Sequence, residues 1–204
     1  AKMVTTLDVI SQGRAVLGVG AGWHEQEHRE YGYEFGTVAE RFGRFEEALA
    51  IAVPMLRGAR PRVDGRWSRA ENAINEPRLR EDLPLLIGGG GEKKTFAFAA
   101  RHAELIFVGD SDPQAIREGL AGIRARAAEL GRDPEQIRAV VGMNPVLAPT
   151  RIEVQQKLDA YQSHYNADAQ LAAYAGWSGI DFAAYADDEP IVKQSTNHTQ
   201  TKET

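Results

Sequence analysis

Hydrophobic and polar positions along this chain follow helical spacing in some stretches and short unbroken apolar runs in others. Between residues 37 and 57, Val38, Phe42, Phe45, Leu49, Val53 and Leu56 recur every three or four positions, which predicts a helix with one apolar face. Glu40, Arg41, Arg44 and Glu47 fall off that face, with Glu40 and Arg44 spaced as a supporting ion pair. Pro54 should kink the last turn, and Gly58 ends it. The stretch 3–12 is helical by spacing, with Met3, Leu7 and Ile10 as its apolar side and Gly13 as its stop. Residues 14–20, 83–87, 104–108 and part of 137–147 are short apolar runs, as expected for strands buried on both faces. Residues 92–101 predict one helix between them. Another opens at Asp112-Pro113, with Ile116, Leu120, Ile123, Ala127 and Leu130 on its buried side. Asp64-Gly65 between Val63 and Trp67 predicts a small hairpin.

Strand and helix alternate up to Pro149, which implies a parallel sheet or a β/α barrel. The character then changes. Residues 150–166 and 168–177 predict two helices, and the final residues lack the apolar content to pack. The expected division is 1–149 as β/α body, 150–190 as helical insertion or lid, and 191–204 as a polar tail.

Composition narrows the function classes. A net charge of −5 over 204 residues, with no basic stripe, argues against nucleic acid as a partner. No apolar run approaches a membrane span, and neither a leader-like segment nor any cysteine is seen. Disulfides and thiolate chemistry are excluded, and a cytoplasmic protein is expected.

Three stretches carry chemistry. The first strand opens into Gly18, Gly20 and Gly22, followed by Trp23; glycines there let a flat ligand approach the backbone, or let strand and helix pack closely. The spacing is not G-x-G-x-x-G, and a long helix stands where a second acid-tipped strand would be, so a dinucleotide fold is disfavoured. Gly88, Gly89, Gly90 and Gly91 lie between a strand and a helix, where free N–H groups and the helix dipole suit a phosphate, with Lys93, Lys94 and Thr95 adjoining. The competing reading is a flexible turn. His24-Glu25-Gln26-Glu27-His28 fits H-E-x-x-H, in which two histidines one helical turn apart bind zinc and Glu25 acts as base, with Glu47 as a conceivable third ligand. The competing reading is a polar loop above the strand ends, because the segment has almost no apolar content with which to seat a buried helix. His102 reads as a structural residue at a helix end. Asp110, Ser111 and Asp112 follow a strand, where β/α enzymes place their sites, though Asp112 serves equally as a helix cap.

Taken in order, TLDVISQGRAVLGVGAGWHEQEHREYGYEF, ERFGRFEEAL and LPLLIGGGGEKKTFAFAARHAEL resemble the bacterial luciferase-like flavin monooxygenase family. This first half looks most like the branch using a deazaflavin. From Ala103 on, AELIFVGDSDPQAIREGLAGIRARAAELGRDPEQI resembles the branch of nitrilotriacetate, dibenzothiophene-sulfone and long-chain alkane monooxygenases, which use reduced FMN from a separate reductase. The resemblance implies a partial TIM-type barrel, about strands four to seven, with a helical lid at the C-terminal end. It implies that Gly18, Gly20 and Trp23 line the flavin ring and Gly88–Gly91 hold its phosphate, with no resident metal. It further implies a small organic substrate, oxygen activation at reduced FMN or hydride transfer with a deazaflavin, and a homo-oligomer or a complementing barrel half. His24, Glu25 and His28 are the candidates for acid–base work. A zinc hydrolase and a non-catalytic barrel fragment are the alternatives.

Overall fold

The computed structural model describes residues 1–89, 94–107, 112–186 and 188–190. They divide into two compact units, one of 1–22 with 34–141, the other of 23–33 with 142–204.

The first unit holds helix α1 (Lys2–Ile10), strand β1 (Leu17–Val19), helix α3 (Val38–Leu56), a hairpin of β2 (Arg62–Asp64) and β3 (Arg69–Glu71), then β4 (Leu85–Gly88), α4 (Thr95–His102), β5 (Leu105–Phe107), α5 (Pro113–Glu129) and β6 (Arg138–Val140). The second unit holds α2 (Glu25–Glu30), α6 (Arg151–Ser163) and α7 (Ala167–Ser178).

The main sheet runs β1-β4-β5-β6 and every pair is parallel. Apart from the hairpin, which forms its own sheet, strand order follows chain order without reversal. A right-handed crossover repeated in one direction puts every helix on the same face, the winding of a β/α barrel rather than of a doubly wound sheet. The register sets Gly18 beside Leu86, Leu86 beside Leu105, and Leu105 beside Arg138. Because side chains alternate, Leu85, Ile87 and Ile106 point to the helices, where they bury against Phe45, Leu49, Phe96, Ala99, Ile123 and Ala127. Among the described residues β1 and β6 stand at the two edges of this sheet.

Two helices turn out differently from their apolar spacing. In α1, Met3 and Ile10 are 89% and 73% exposed, whereas Asp8 is 2% exposed and Thr5 is also buried. Spacing finds a stripe but not which stripe faces the body; here polar bonding decides it. Asp8 accepts hydrogen bonds from Ala15 N–H at 3.1 Å and from Arg80 Nη2 and Nε at 2.9 and 3.0 Å, and Arg80 Nη2 donates to the Ala15 carbonyl at 2.9 Å. In α3, Arg41 is buried, its guanidinium 3.8 Å from the Phe35 ring centroid and donating to the Gly36 carbonyl, while Val38 is exposed. Glu40 is taken by a capping box with Thr37, and Arg44 pairs instead with Glu34 at 2.7 Å. The helix continues through Pro54 to Leu56.

The hairpin rises along the outside of α3. Glu47 accepts the backbone N–H groups of Arg66, Trp67 and Ser68 at 2.8, 2.9 and 2.7 Å. Burial pushes the Glu47 pKa up, but these three donors and the Arg66 charge outweigh it and hold the carboxylate below its usual range. The Trp67 ring lies where a Cβ on Gly43 would stand. Alanine at a helix interior normally gains about 1 kcal/mol over glycine, but overpacking costs about 1–3 kcal/mol. Gly43→Ala should therefore lower stability in urea denaturation. It should also red-shift Trp67 emission when Trp23 and Trp177 are replaced by phenylalanine.

At the N-terminal ends of the strands, Glu104 joins three elements. It accepts from Arg57 at 2.9 Å and from the Leu85 N–H at 2.9 Å, and it forms an ion pair with Arg132 at 3.5 Å. Arg132 also donates to the carbonyls of Ala99, Ala100 and Ala103, closing the end of α4. His102 ends that helix as expected, but burial, then the charges of Arg101 and Arg132, lower its pKa, so the cation at the helix end is Arg132.

Candidate functional site

The C-terminal ends of β1 and β4 lie side by side, and that contact unites two glycine stretches far apart in sequence. Gly18 pairs with Leu86, Val19 with Ile87, and a Cβ on Gly20 would sit 3.8 Å from the Gly88 carbonyl oxygen. A Cβ on Gly18 would meet only the end of Leu86 at 3.9 Å, and one on Gly88 would meet nothing within 4 Å. None of the three has the positive φ that demands glycine. Among the described residues neither crowding nor backbone strain accounts for the missing side chains, so the result is a bare patch of peptide surface at the strand ends, where β/α barrels hold their ligands.

Gly89 differs. Its φ is +128°, so backbone shape requires glycine, and a Cβ would touch Thr95 at 3.4 Å. Thr95 is buried as the first residue of α4, and its neighbour Lys94 places Nζ 5.1 Å from the Phe42 ring centroid. Phe42 in turn stacks on Phe98, so Lys94 is drawn to the α3–α4 seam. The N-terminus of α4 has no side-chain cap. Gly90, Gly91, Lys93, Asp110, Ser111 and the tail 191–204 lie outside the described residues. Asp112 caps α5, its carboxylate accepting from the Gln114 N–H at 2.9 Å.

In the second unit, His24 to His28 forms a short helix rather than a metal-binding face. His24 is the N-cap of α2, with extended backbone, and its Nδ1 accepts the Glu27 N–H at 3.4 Å. His28 Nδ1 lies 2.8 Å from the His24 carbonyl oxygen. A zinc helix needs both histidines in helical register, and here the first stops short of the helix. Glu47, the conceivable third ligand, is committed to the hairpin turn of the other unit. Among the described residues no group of three or more histidines and carboxylates is placed to hold a metal. Glu25 is exposed, and the Trp23 ring lies 5.0 Å from that of His24, tilted by 53°. His24→Ala should fray α2, read as lost amide protection from Glu27 to Glu30, without changing metal content.

Sequence reasoning missed Arg41 on Phe35 and the Asp8–Arg80 pair. A lone acid in the run MVTTLDVI was the available signal for the second. Among the described residues no helix is long and apolar enough to cross a membrane.

A family model described as luciferase-like monooxygenase matches residues 1–200. The chain is 26% identical over 213 aligned positions to the dibenzothiophene-sulfone monooxygenase of Rhodococcus erythropolis, covering 94% of this chain and 47% of that one. It is similar in structure to a riboflavin lyase solved with modified FMN and riboflavin, at TM-score 0.81 and 22% identity over 97% of this chain and 49% of that one. It is also similar to the coenzyme F420-dependent tetrahydromethanopterin reductase of Methanopyrus kandleri, at TM-score 0.57 and 22% identity over 88% and 55%. The chain thus spans about half the length of these relatives.

Proposed function

The chain belongs to the luciferase-like monooxygenase family, and from that premise we propose that it contributes the flavin-binding strand ends of a monooxygenase acting on a small organic molecule. The single observation that supports this most is the bare patch of Gly18, Gly20 and Gly88, which would accept a flat ring and which no packing requirement among the described residues explains. As the resemblance implies, Gly18, Gly20 and Trp23 would line the ring and Gly88 to Gly91 would hold the phosphate, and among the described residues the open space at Gly18, Gly20 and Gly88 supports that assignment. Reduced FMN supplies oxygen activation when bound, or a deazaflavin supplies hydride transfer.

The chain's own part is then to bind and orient. Bare peptide surface at Gly18 and Gly20 permits van der Waals contact across a planar face without the gap a side chain would impose. The N-terminus of α4, which has no side-chain cap, favours an anion through the helix dipole. His24, Glu25 and His28 are the candidates for holding or moving a proton. In this reading residues 1–149 are barrel, 150–190 a lid and 191–204 a tail. Reducing equivalents come from a separate reductase in the cytoplasm, and the chain works as a homo-oligomer or with a complementing barrel half.

Titration of the purified protein with FMN and with a deazaflavin, followed by fluorescence quenching and absorbance, tests the reading. Saturable binding of FMN is expected. Binding of neither cofactor would favour a non-catalytic fragment. Stoichiometric zinc that chelation removes would overturn the flavin assignment in favour of a hydrolase.

A further inference from the structure

We propose that His28 is the proton acceptor among the three acid–base residues, at its Nε2, and that His24 is the residue that positions it. The use of such a group rests on the flavin reading above, whereas its atoms rest on the geometry of α2. In each ring one nitrogen faces a backbone group that dictates its role. His28 Nδ1 lies 2.8 Å from the His24 carbonyl oxygen. A carbonyl only accepts, so Nδ1 carries the ring proton, and the lone pair of the neutral imidazole is at Nε2. His24 is the reverse. Its Nδ1 accepts the Glu27 N–H at 3.4 Å. A backbone N–H only donates, so the lone pair stays at Nδ1 and the ring proton at Nε2. The H-E-x-x-H letters thus hold two histidines in opposite tautomers.

That difference decides which ring can take a second proton. His28 gains one at Nε2 with its bond to His24 intact, because the imidazolium keeps both N–H groups. His24 must give up the cap first, since its one lone pair closes the N-terminus of α2. The helix dipole acts in the same sense: His28 lies in the last turn, where positive charge is favoured, and His24 at the start, where it is opposed. Both histidines are half-buried, whereas Glu25 is exposed to water. In the transfer, the Nε2–H bond forms as the X–H bond of the proton donor breaks. The electron pair of that bond stays with X, and no oxidant or reductant is consumed. His24 acts through its main chain. Its carbonyl accepts the His28 backbone N–H at 3.3 Å as well as the ring N–H, and its side chain holds that carbonyl in place by capping the helix.

Long-range nitrogen–proton NMR correlation of the imidazole rings in the full chain reads the tautomers directly. His28 should appear in the Nδ1–H form and His24 in the Nε2–H form. His24→Ala should turn His28 into a mixture of both forms, and His24→Asn, which restores a cap, should return the single form. Acylation by diethyl pyrocarbonate with peptide mass mapping needs no variant and keeps the test decisive where one does not fold. The reagent takes a nitrogen lone pair, so His28 should react about two- to tenfold faster than His24, whose lone pair is held by one hydrogen bond. An Nε2–H form of His28 in the parent, a single form that persists in His24→Ala, or equal or reversed acylation rates would each overturn the inference. None of these measurements contains a flavin. Tautomers as expected in a protein that binds no FMN would sink the flavin reading and leave this arrangement standing, and FMN binding with His28 in the Nε2–H form would do the reverse.

Discussion

Replacing Gly20 with valine should weaken FMN binding by about ten- to a hundredfold while leaving the thermal midpoint within a few degrees of the parent. The expectation rests on open space. A Cβ at Gly20 would make an ordinary contact with the Gly88 carbonyl, and the backbone does not occupy the left-handed region. Valine suits a strand end, so the fold has no reason to object. A ring lying on that surface would lose its contact, and overpacking of about 1–3 kcal/mol corresponds to the stated loss of affinity. Gly18→Val should behave alike. Gly89→Val is the contrast, because its φ of +128° makes it a folding mutation first. Calorimetric or fluorescence titration beside a thermal melt separates the two outcomes. Unchanged FMN affinity in both Gly18→Val and Gly20→Val would rule out the glycine patch as the ring's seat.

Asp8→Ala should cost about 3–5 kcal/mol in urea denaturation, toward the lower end because Arg80 keeps some access to water. The loss is large against a typical domain stability of about 5–15 kcal/mol. Removing the carboxylate leaves Arg80 Nε and the Ala15 N–H without their acceptor, while Arg80 Nη2 keeps the Ala15 carbonyl. The apolar pair Asp8→Leu with Arg80→Met should recover most of the loss, since the desolvation of both charges disappears with them. The hydrogen bond from Arg80, opposed by burial and aided by Ala15 N–H and the Arg80 charge, holds the Asp8 pKa below its usual value. A lowered carboxylate pKa gives stability that is fully present above the unfolded value of about 3.9 and lost as pH falls through the folded one. The parent should therefore lose stability in acid below about pH 4, and Asp8→Asn should lack that component. An equal acid slope in parent and variant would refute the assignment.

Much of this was written in the chain itself. The alternation of short apolar runs with helices, the turn at Asp64-Gly65 and the cap at Asp112-Pro113 are local signals, and each element stands within a few residues of its expected place. Local signals fail where a partner distant in sequence decides. Apolar spacing put Met3, Leu7 and Ile10 on the inner side of α1, yet that helix turns Asp8 inward because Arg80 waits there. Arg41 read as a surface residue until Phe35 was brought beneath it. The H-E-x-x-H pattern has the right letters, but His24 stops at the cap and never joins the helix.

The glycines show the division most clearly. By itself the sequence determined that two apolar runs end in glycine, and that a flat ligand and an anion were the chemistry such ends allow. It could not say which glycines serve the chain's own backbone. Only the parallel pairing of β1 with β4 set Gly18 and Gly20 beside Gly88, and only the folded backbone and the space around each separated that open trio from Gly89, which its φ demands. Neighbouring residues fix backbone preference, whereas the room around a Cβ is set by whatever the fold carries to that point from elsewhere in the chain.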